Sequence, residues 1–260
     1  MKLKQLLLIL PLLLIWVNPI TVKAEETNYP YYLDWKQCSP EWANETIKNS
    51  GNTMTNGACS ETSQAIIIQM SKNIKDHNFN PLNYLRWAEE NNQKFSMSTL
   101  DTSAVTSYTD GNLQLVQSIR DISYNDDSAI YNLIKYGYDN GYFMILHIRH
   151  TNGGGHFVPV VAIDTYNKDI YINQVGRNDL PGYLNYVDYY GSSNSNEIMD
   201  GVDFYKCKDY TMFEFMKDDN YTRTFINSVN PTFETEIYNW ALDKLLSGEN
   251  LNSPNALIIK

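Results

Sequence analysis

The chain has 260 residues, a formal net charge of -10, and 43% hydrophobic against 19% charged residues. That is too apolar for a disordered chain and too interrupted by polar residues for a protein of many membrane spans. An acidic balance with no Lys/Arg cluster also excludes nucleic acid and anionic head groups as partners.

At the N-terminus, Lys2 and Lys4 precede an unbroken apolar run from Leu6 to Val17, and Val22-Lys23-Ala24 forms a small-x-small cleavage site. Residues 1–24 read as a secretory signal peptide cut after Ala24. Its removal takes three lysines and no acids, so the exported chain carries -13. No later stretch is apolar enough for a membrane span, and the Asn/Lys/Ile-rich composition looks bacterial.

From Glu25 to Gly57 the chain is polar, aromatic and aperiodic, which predicts an extended arm and loops. A helix starts near Ser60, with Ala65, Ile66, Ile67, Ile68 and Met70 as apolar residues and Glu61 in its first turn. A second helix runs from Pro81 to about Asn92. Residues 96–126 are ambiguous, but Leu113, Val116 and Ile119 suggest a short helix, and another spans Ser128 to about Tyr138. The pattern then changes. Tyr142–Ile148, Phe157–Ile163 and Ile170–Asn173 are β-rich and separated by turn residues, including Gly153-Gly154-Gly155, which predicts a three-stranded antiparallel meander.

Gly176–Gly201 reads as surface loops, with Val202–Tyr205 returning as a strand. A last amphipathic helix covers Thr232–Leu246, with Phe233, Ile237, Trp240, Ala241 and Leu245 on one side and Gly248 beyond it. Helices first and sheet second make an α+β fold. The division is 1–24 signal peptide, 25–220 main domain and 221–260 C-terminal helical extension.

Three cysteines, Cys38, Cys59 and Cys207, enter an extracytoplasmic space, so the odd count leaves at least one thiol unpaired; Cys38 and Cys207 are candidates for a disulfide. Only Cys59 lies at a helix N-terminus, where unpaired backbone N–H groups stabilise a thiolate. A thiolate needs an imidazole partner, and His156, opening a strand just after three glycines, is the best placed. His147 and His150 fall on opposite faces of their strand, and no HxxxH or cysteine pair accompanies them, so no metal is expected. No cofactor is called for. Asn173 and Gln174 end the neighbouring strand and could orient the imidazole, Asn being the better chemical fit. Gln37, upstream, could donate to an oxyanion.

In order, these pieces resemble a known family. Asp34-Trp35-Lys36-Gln37-Cys38-Ser39-Pro40-Glu41-Trp42-Ala43-Asn44, followed by Asn56-Gly57-Ala58-Cys59-Ser60-Glu61-Thr62, is similar to the opening of the papain-like cysteine peptidases related to bacteriocin-leader (double-glycine) peptidases. Pro81 to Ala88 resembles the next helix of that family. Gly141-Tyr142-Phe143-Met144-Ile145 and Gly155-His156-Phe157-Val158-Pro159-Val160-Val161 resemble its two site strands. The resemblance runs from about Asp34 to Gly176; 177–260 match nothing in it.

It implies a papain-like fold with helices packed on an antiparallel sheet, Cys59 as nucleophile, His156 as general base and acid, and Gln37 as oxyanion donor. The family's orienting Asp lies in an Asn-Asp-Pro-Gly stretch that reads Asn173-Gln174-Val175-Gly176 here, so Gln174 is its positional equivalent and Asn173 the better chemical substitute. Ala58 and Phe143 stand where the family has Gly and Pro. The expectation is a secreted cysteine hydrolase, a peptidase acting on peptides or cell-wall peptides. The same residues fit a transglutaminase-like acyltransferase, and the scaffold also fits a non-catalytic binding or toxin-like module.

Overall fold

The computed structural model describes residues 30–122, 126–151, 153–191 and 197–247; the expected leader, Gly248 and the side chain of Leu245 lie outside the described residues. A 3-10 turn at Tyr31–Asp34 is followed by a short α1 (Met54–Gly57) and then α2 (Cys59–Met70). Every residue of α2 except Gln69 is buried, so its polar side chains must find partners inside the protein. They do. Ser60 Oγ donates to the Leu100 carbonyl (2.9 Å), Gln64 Nε2 to Ser60 Oγ (2.8 Å), Tyr84 Oη to Gln64 Oε1 (2.7 Å), and Ser63 Oγ to the Phe157 carbonyl (3.0 Å). These bonds fix the rotation of α2 about its axis, and with it the heading of Cys59.

Next come α3 (Pro81–Glu90), a hairpin of β1 (Phe95–Ser96) and β2 (Thr99–Leu100), and α4 (Ala104–Tyr108). Asn80 caps α3 by accepting from the Asn83 N–H (2.9 Å), with Pro81 in the first turn, where a missing N–H costs nothing. β3 (Leu113–Ile119), α5 (Asp127–Asp139), β4 (Phe143–His150), β5 (Gly155–Asp164) and β6 (Asp169–Ile172) follow. The chain continues through β7 (Leu184–Asn185), α6 (Tyr186–Tyr190), β8 (Glu197–Cys207), α7 (Met212–Asp218), α8 (Asn220–Val229) and α9 (Phe233–Leu246).

Six strands form one sheet in the order β3-β8-β4-β5-β6-β7, all neighbours antiparallel. The protein is thus a mixed α/β chain of helices and antiparallel sheet. The meander β4-β5-β6 is the one expected. From Val158 to Asp164, β5 is buried without alternation, the pattern of a strand covered on both faces; α2 and α8 both pack on it.

Two expectations are corrected. Leu113–Ile119 is a strand rather than a helix: a bulge between Leu115 and Gln117 sets Val116 out of register and exposed, and this displaced residue supplied the misleading three-residue spacing. Gly176–Gly201 is not only loop, since it contains α6, with Tyr186 and Tyr190 buried, and the start of β8. β8 lies between β3 and β4.

The C-terminal helices share the main core through Ile226, Phe233 and Ile237. All three cysteines are free thiols, so the Cys38–Cys207 pairing is also corrected: Cys38 Sγ lies 3.1 Å from Asn178 Oδ1, and Cys207 Sγ accepts from Asn73 Nδ2 at 3.3 Å. Among the described residues no helix is long and apolar enough to cross a membrane.

Candidate functional site

Cys59 is the first residue of α2, as expected, and its sulfur faces the backbone N–H groups of Cys59 and Ser60 at the helix start. It also faces the backbone N–H of Phe157, so the thiol borders the peptide that joins His156 to Phe157. Ser63, one turn further along α2, bonds the Phe157 carbonyl, which ties the same helix to the same strand residue a second time. Cys59 and His156 are both buried, Cys59 keeping 8% and His156 9% of its surface exposed.

His156 Nε2 lies 2.7 Å from Gln174 Oε1. The Gly176 backbone N–H donates to that same Oε1 at 2.8 Å, and a backbone N–H must find an acceptor, so the amide oxygen faces the ring. The imidazole therefore carries its proton on Nε2 and leaves Nδ1 as the free base. Gly176 packs tightly on the ring, where a Cβ at this residue would stand 3.1 Å from His156 Cε1. Gln174 Nε2 donates to the hydroxyl of Tyr190, at the end of α6.

Between the two candidate orienting residues the geometry selects Gln174. Asn173 faces elsewhere: its Nδ2 donates to the Leu33 carbonyl (2.9 Å) and its Oδ1 accepts from Lys36 Nζ. Lys36 also donates to the Gln174 carbonyl (3.2 Å), while the Gln37 N–H donates to the Val175 carbonyl (2.8 Å). The arm carrying Gln37 is thereby stapled to the strand end carrying Gln174. The Gln37 side chain is buried, its Nε2 donates to the Thr55 carbonyl (2.5 Å), and its Oε1 has no hydrogen-bond partner. Thr55 lies in α1, four residues before Cys59, so Gln37 reaches the segment that leads into Cys59.

Electrostatics corrects one expectation. The N–H groups of Phe157, Ser60 and Cys59 do pull the Cys59 pKa down, but burial outweighs them and pushes the thiol up to about 12. Burial likewise lowers His156 to about 4, against an upward pull from Gln174. The resting pair is thiol and neutral imidazole rather than thiolate and imidazolium, because among the described residues neither the desolvated sulfur nor the desolvated ring has a counter-ion to hold its charge.

Three further groups near these residues were not among the expected site residues. Lys36 is buried with its ammonium lowered to about 8, chiefly by desolvation. Glu61, in the first turn of α2, is fully buried; Oε1 accepts from the Leu100 N–H (3.1 Å), Oε2 is unpartnered, and burial raises its pKa to about 8. Tyr190 is the third. No local signal marked the burial of Lys36 or Glu61, both of which sit in polar stretches, and nothing marked Tyr190 among the tyrosines around it.

His147 and His150 take separate carboxylates, Asp200 (Nδ1 to Oδ1 2.6 Å) and Glu197 (Nδ1 to Oε1 2.7 Å). Among the described residues no group of three or more His, Cys, Asp or Glu converges as a metal site. No family model, curated protein or solved structure matches the chain.

Proposed function

We propose that this chain is a secreted cysteine hydrolase of papain-like type, a peptidase acting on peptides or cell-wall peptides. The reading is supported above all by one observation: a thiol on the first turn of a buried helix borders the peptide of a histidine whose Nε2–H is held by Gln174, which leaves Nδ1 unprotonated as a base.

In this scheme His156 Nδ1 takes the thiol proton as the sulfur attacks an amide carbonyl. Because the resting pair is neutral, charge develops during attack instead of before it. The oxyanion is received by the Cys59 backbone N–H at the helix start, which the sulfur vacates as it attacks, and by the second hydrogen of Gln37 Nε2, the first being given to Thr55. His156, now protonated on both nitrogens and still held by Gln174 Oε1, passes the Nδ1 proton to the leaving amine. Water, deprotonated by the same nitrogen, releases the acyl group and restores the thiol.

A thiol-directed epoxide tests the reading. Selective modification of Cys59 at neutral pH, lost in His156→Ala, supports it; equal modification of Cys38 and Cys59, or indifference of Cys59 to the histidine, defeats it. Once a substrate is in hand, added hydroxylamine separates the chemistries, because hydroxamate outpacing free acid assigns an acyltransferase. The non-catalytic module is the second reading. It is favoured by the neutral resting pair and by the absence of a carboxylate on His156.

A further inference from the structure

We infer that Tyr190 is a positioning residue of this site, which selects the tautomer of His156 by accepting the N–H of the Gln174 amide. The inference rests on the hydrolase reading only for its catalytic consequence. The geometric part stands alone.

A neutral amide presents two ends, and only its oxygen can accept from the His156 ring nitrogen while that nitrogen keeps its proton. If the amide were reversed, its NH2 would face the Gly176 N–H, donor against donor, and would demand the opposite histidine tautomer. Two partners prevent this: the Gly176 N–H on Oε1 at 2.8 Å, and the Tyr190 hydroxyl on Nε2. Tyr190 keeps only 2% exposure, so water is a poor substitute for its hydroxyl. Removing that acceptor leaves a buried N–H unpaired, a penalty the side chain escapes by rotating Oε1 away from His156.

The fold holds the hydroxyl in place. α6 is capped by Asn185, whose side chain accepts from the Val187 N–H (2.9 Å), and it closes on Gly191, whose N–H bonds the Val187 carbonyl at 3.0 Å. A Cβ at Gly191 would stand 2.3 Å from that carbonyl oxygen, so the chain can turn here only as glycine. Tyr190 packs against Tyr186 (6.0 Å between centroids) and edge-on to Tyr189 (4.7 Å). It also stands close enough to the Cys59 sulfur for a charge there to be felt at its hydroxyl. One ring thus touches the surroundings of both halves of the pair.

The test is long-range proton–nitrogen correlation NMR on the protein labelled with 15N-histidine, at pH 7, in the parent, Tyr190→Phe, Gln174→Glu and the double variant. The parent should show His156 as the single Nε2–H tautomer. Tyr190→Phe should turn it into a mixture and slow iodoacetamide alkylation of Cys59 by about tenfold. A carboxylate has no N–H to place, so in Gln174→Glu the phenylalanine should matter little: the double variant should regain the Nε2–H form.

An unchanged tautomer in Tyr190→Phe, or a mixture that persists in the double variant, overturns the inference. Failure of the hydrolase reading looks different: Cys59 stays unreactive while the tautomer follows Tyr190 as described.

Discussion

The two sides of the site differ in how completely their polar groups are satisfied. On the base side, His156, Gln174, Gly176, Tyr190 and Lys36 form a continuous set of bonds, and the ring has one protonation pattern available to it. On the nucleophile side, Gln37 Oε1 and Glu61 Oε2 are buried without partners, and the thiol is desolvated. Buried polar groups are rarely left unpaired, so the contrast sets an imidazole held in one orientation against a thiol whose neighbours keep unused hydrogen-bonding capacity. The fold spends its rigidity on the imidazole.

The sharpest break comes from the pair itself. Cys59→Ser and His156→Ala should each lower hydrolysis by at least roughly 10^3-fold, read as initial rates on a peptide substrate once one is found. Gln37→Ala should cost roughly 10^2–10^3-fold in kcat if its amide receives the oxyanion. Alkylation of Cys59 by iodoacetamide forms no oxyanion, so that rate should change less than about twofold; a parallel loss in both assays would make Gln37 a merely structural residue.

Gln174→Glu probes the neutral orienting amide. In the parent, the base must be unprotonated, so activity should rise with pH through about 4, where His156 titrates, and stay level through neutrality. A carboxylate beside Nε2 favours the imidazolium, so the acid limb should move up, by about tenfold in proton concentration for each ~1.4 kcal/mol of added attraction. A limb that stays at the parent position would mean that residue 174 does not govern the ring.

The smallest effect concerns stability. Glu61 has a folded pKa raised to about 8 from an ordinary 4.5, so the native state holds a proton that the unfolded state has released, and stability falls as pH rises across that window. Below 6.5 the lowered histidines His156 and His147 act in the opposite sense, because there the unfolded state binds more protons. The net fall should therefore appear between about pH 6.5 and 8, at up to about 1.4 kcal/mol per unit. Above that, Lys36, lowered to about 8 from 10.5, should return stability up to about pH 9, beyond which the Cys59 thiol, raised to about 12 from 9.0, acts in the opposite sense. Urea midpoints at pH 6.5 and 8 check this: Glu61→Gln should flatten the interval.

Where local pattern and tertiary demand agreed, the sequence could be read directly. The Cys59 helix start, Pro81 in the first turn of α3, and the turns around β4, β5 and β6 carry residues whose backbone preferences match their final state. The site was legible in the same places: Cys59 at a helix tip and His156 after a glycine run. Legibility failed where non-local pairing decided. Val116 bulges because β8 pairs on either side of it, and β8 begins at Glu197, inside a stretch that reads locally as loop, before the strand expected at Val202–Tyr205.

The alternation of residue types, the turn residues and the helix-start chemistry determined on their own the helices α2, α3 and α5, the meander, and the candidate thiol and imidazole. Only the tertiary structure could decide between Asn173 and Gln174, adjacent amides of one chemistry, because the choice depends on which one meets Lys36 and which meets Gly176 and Tyr190. It alone also set the charge state of the pair. Helix position favours a thiolate in any sequence, but the extent of burial that overrides it belongs to packing, which no local stretch of residues encodes.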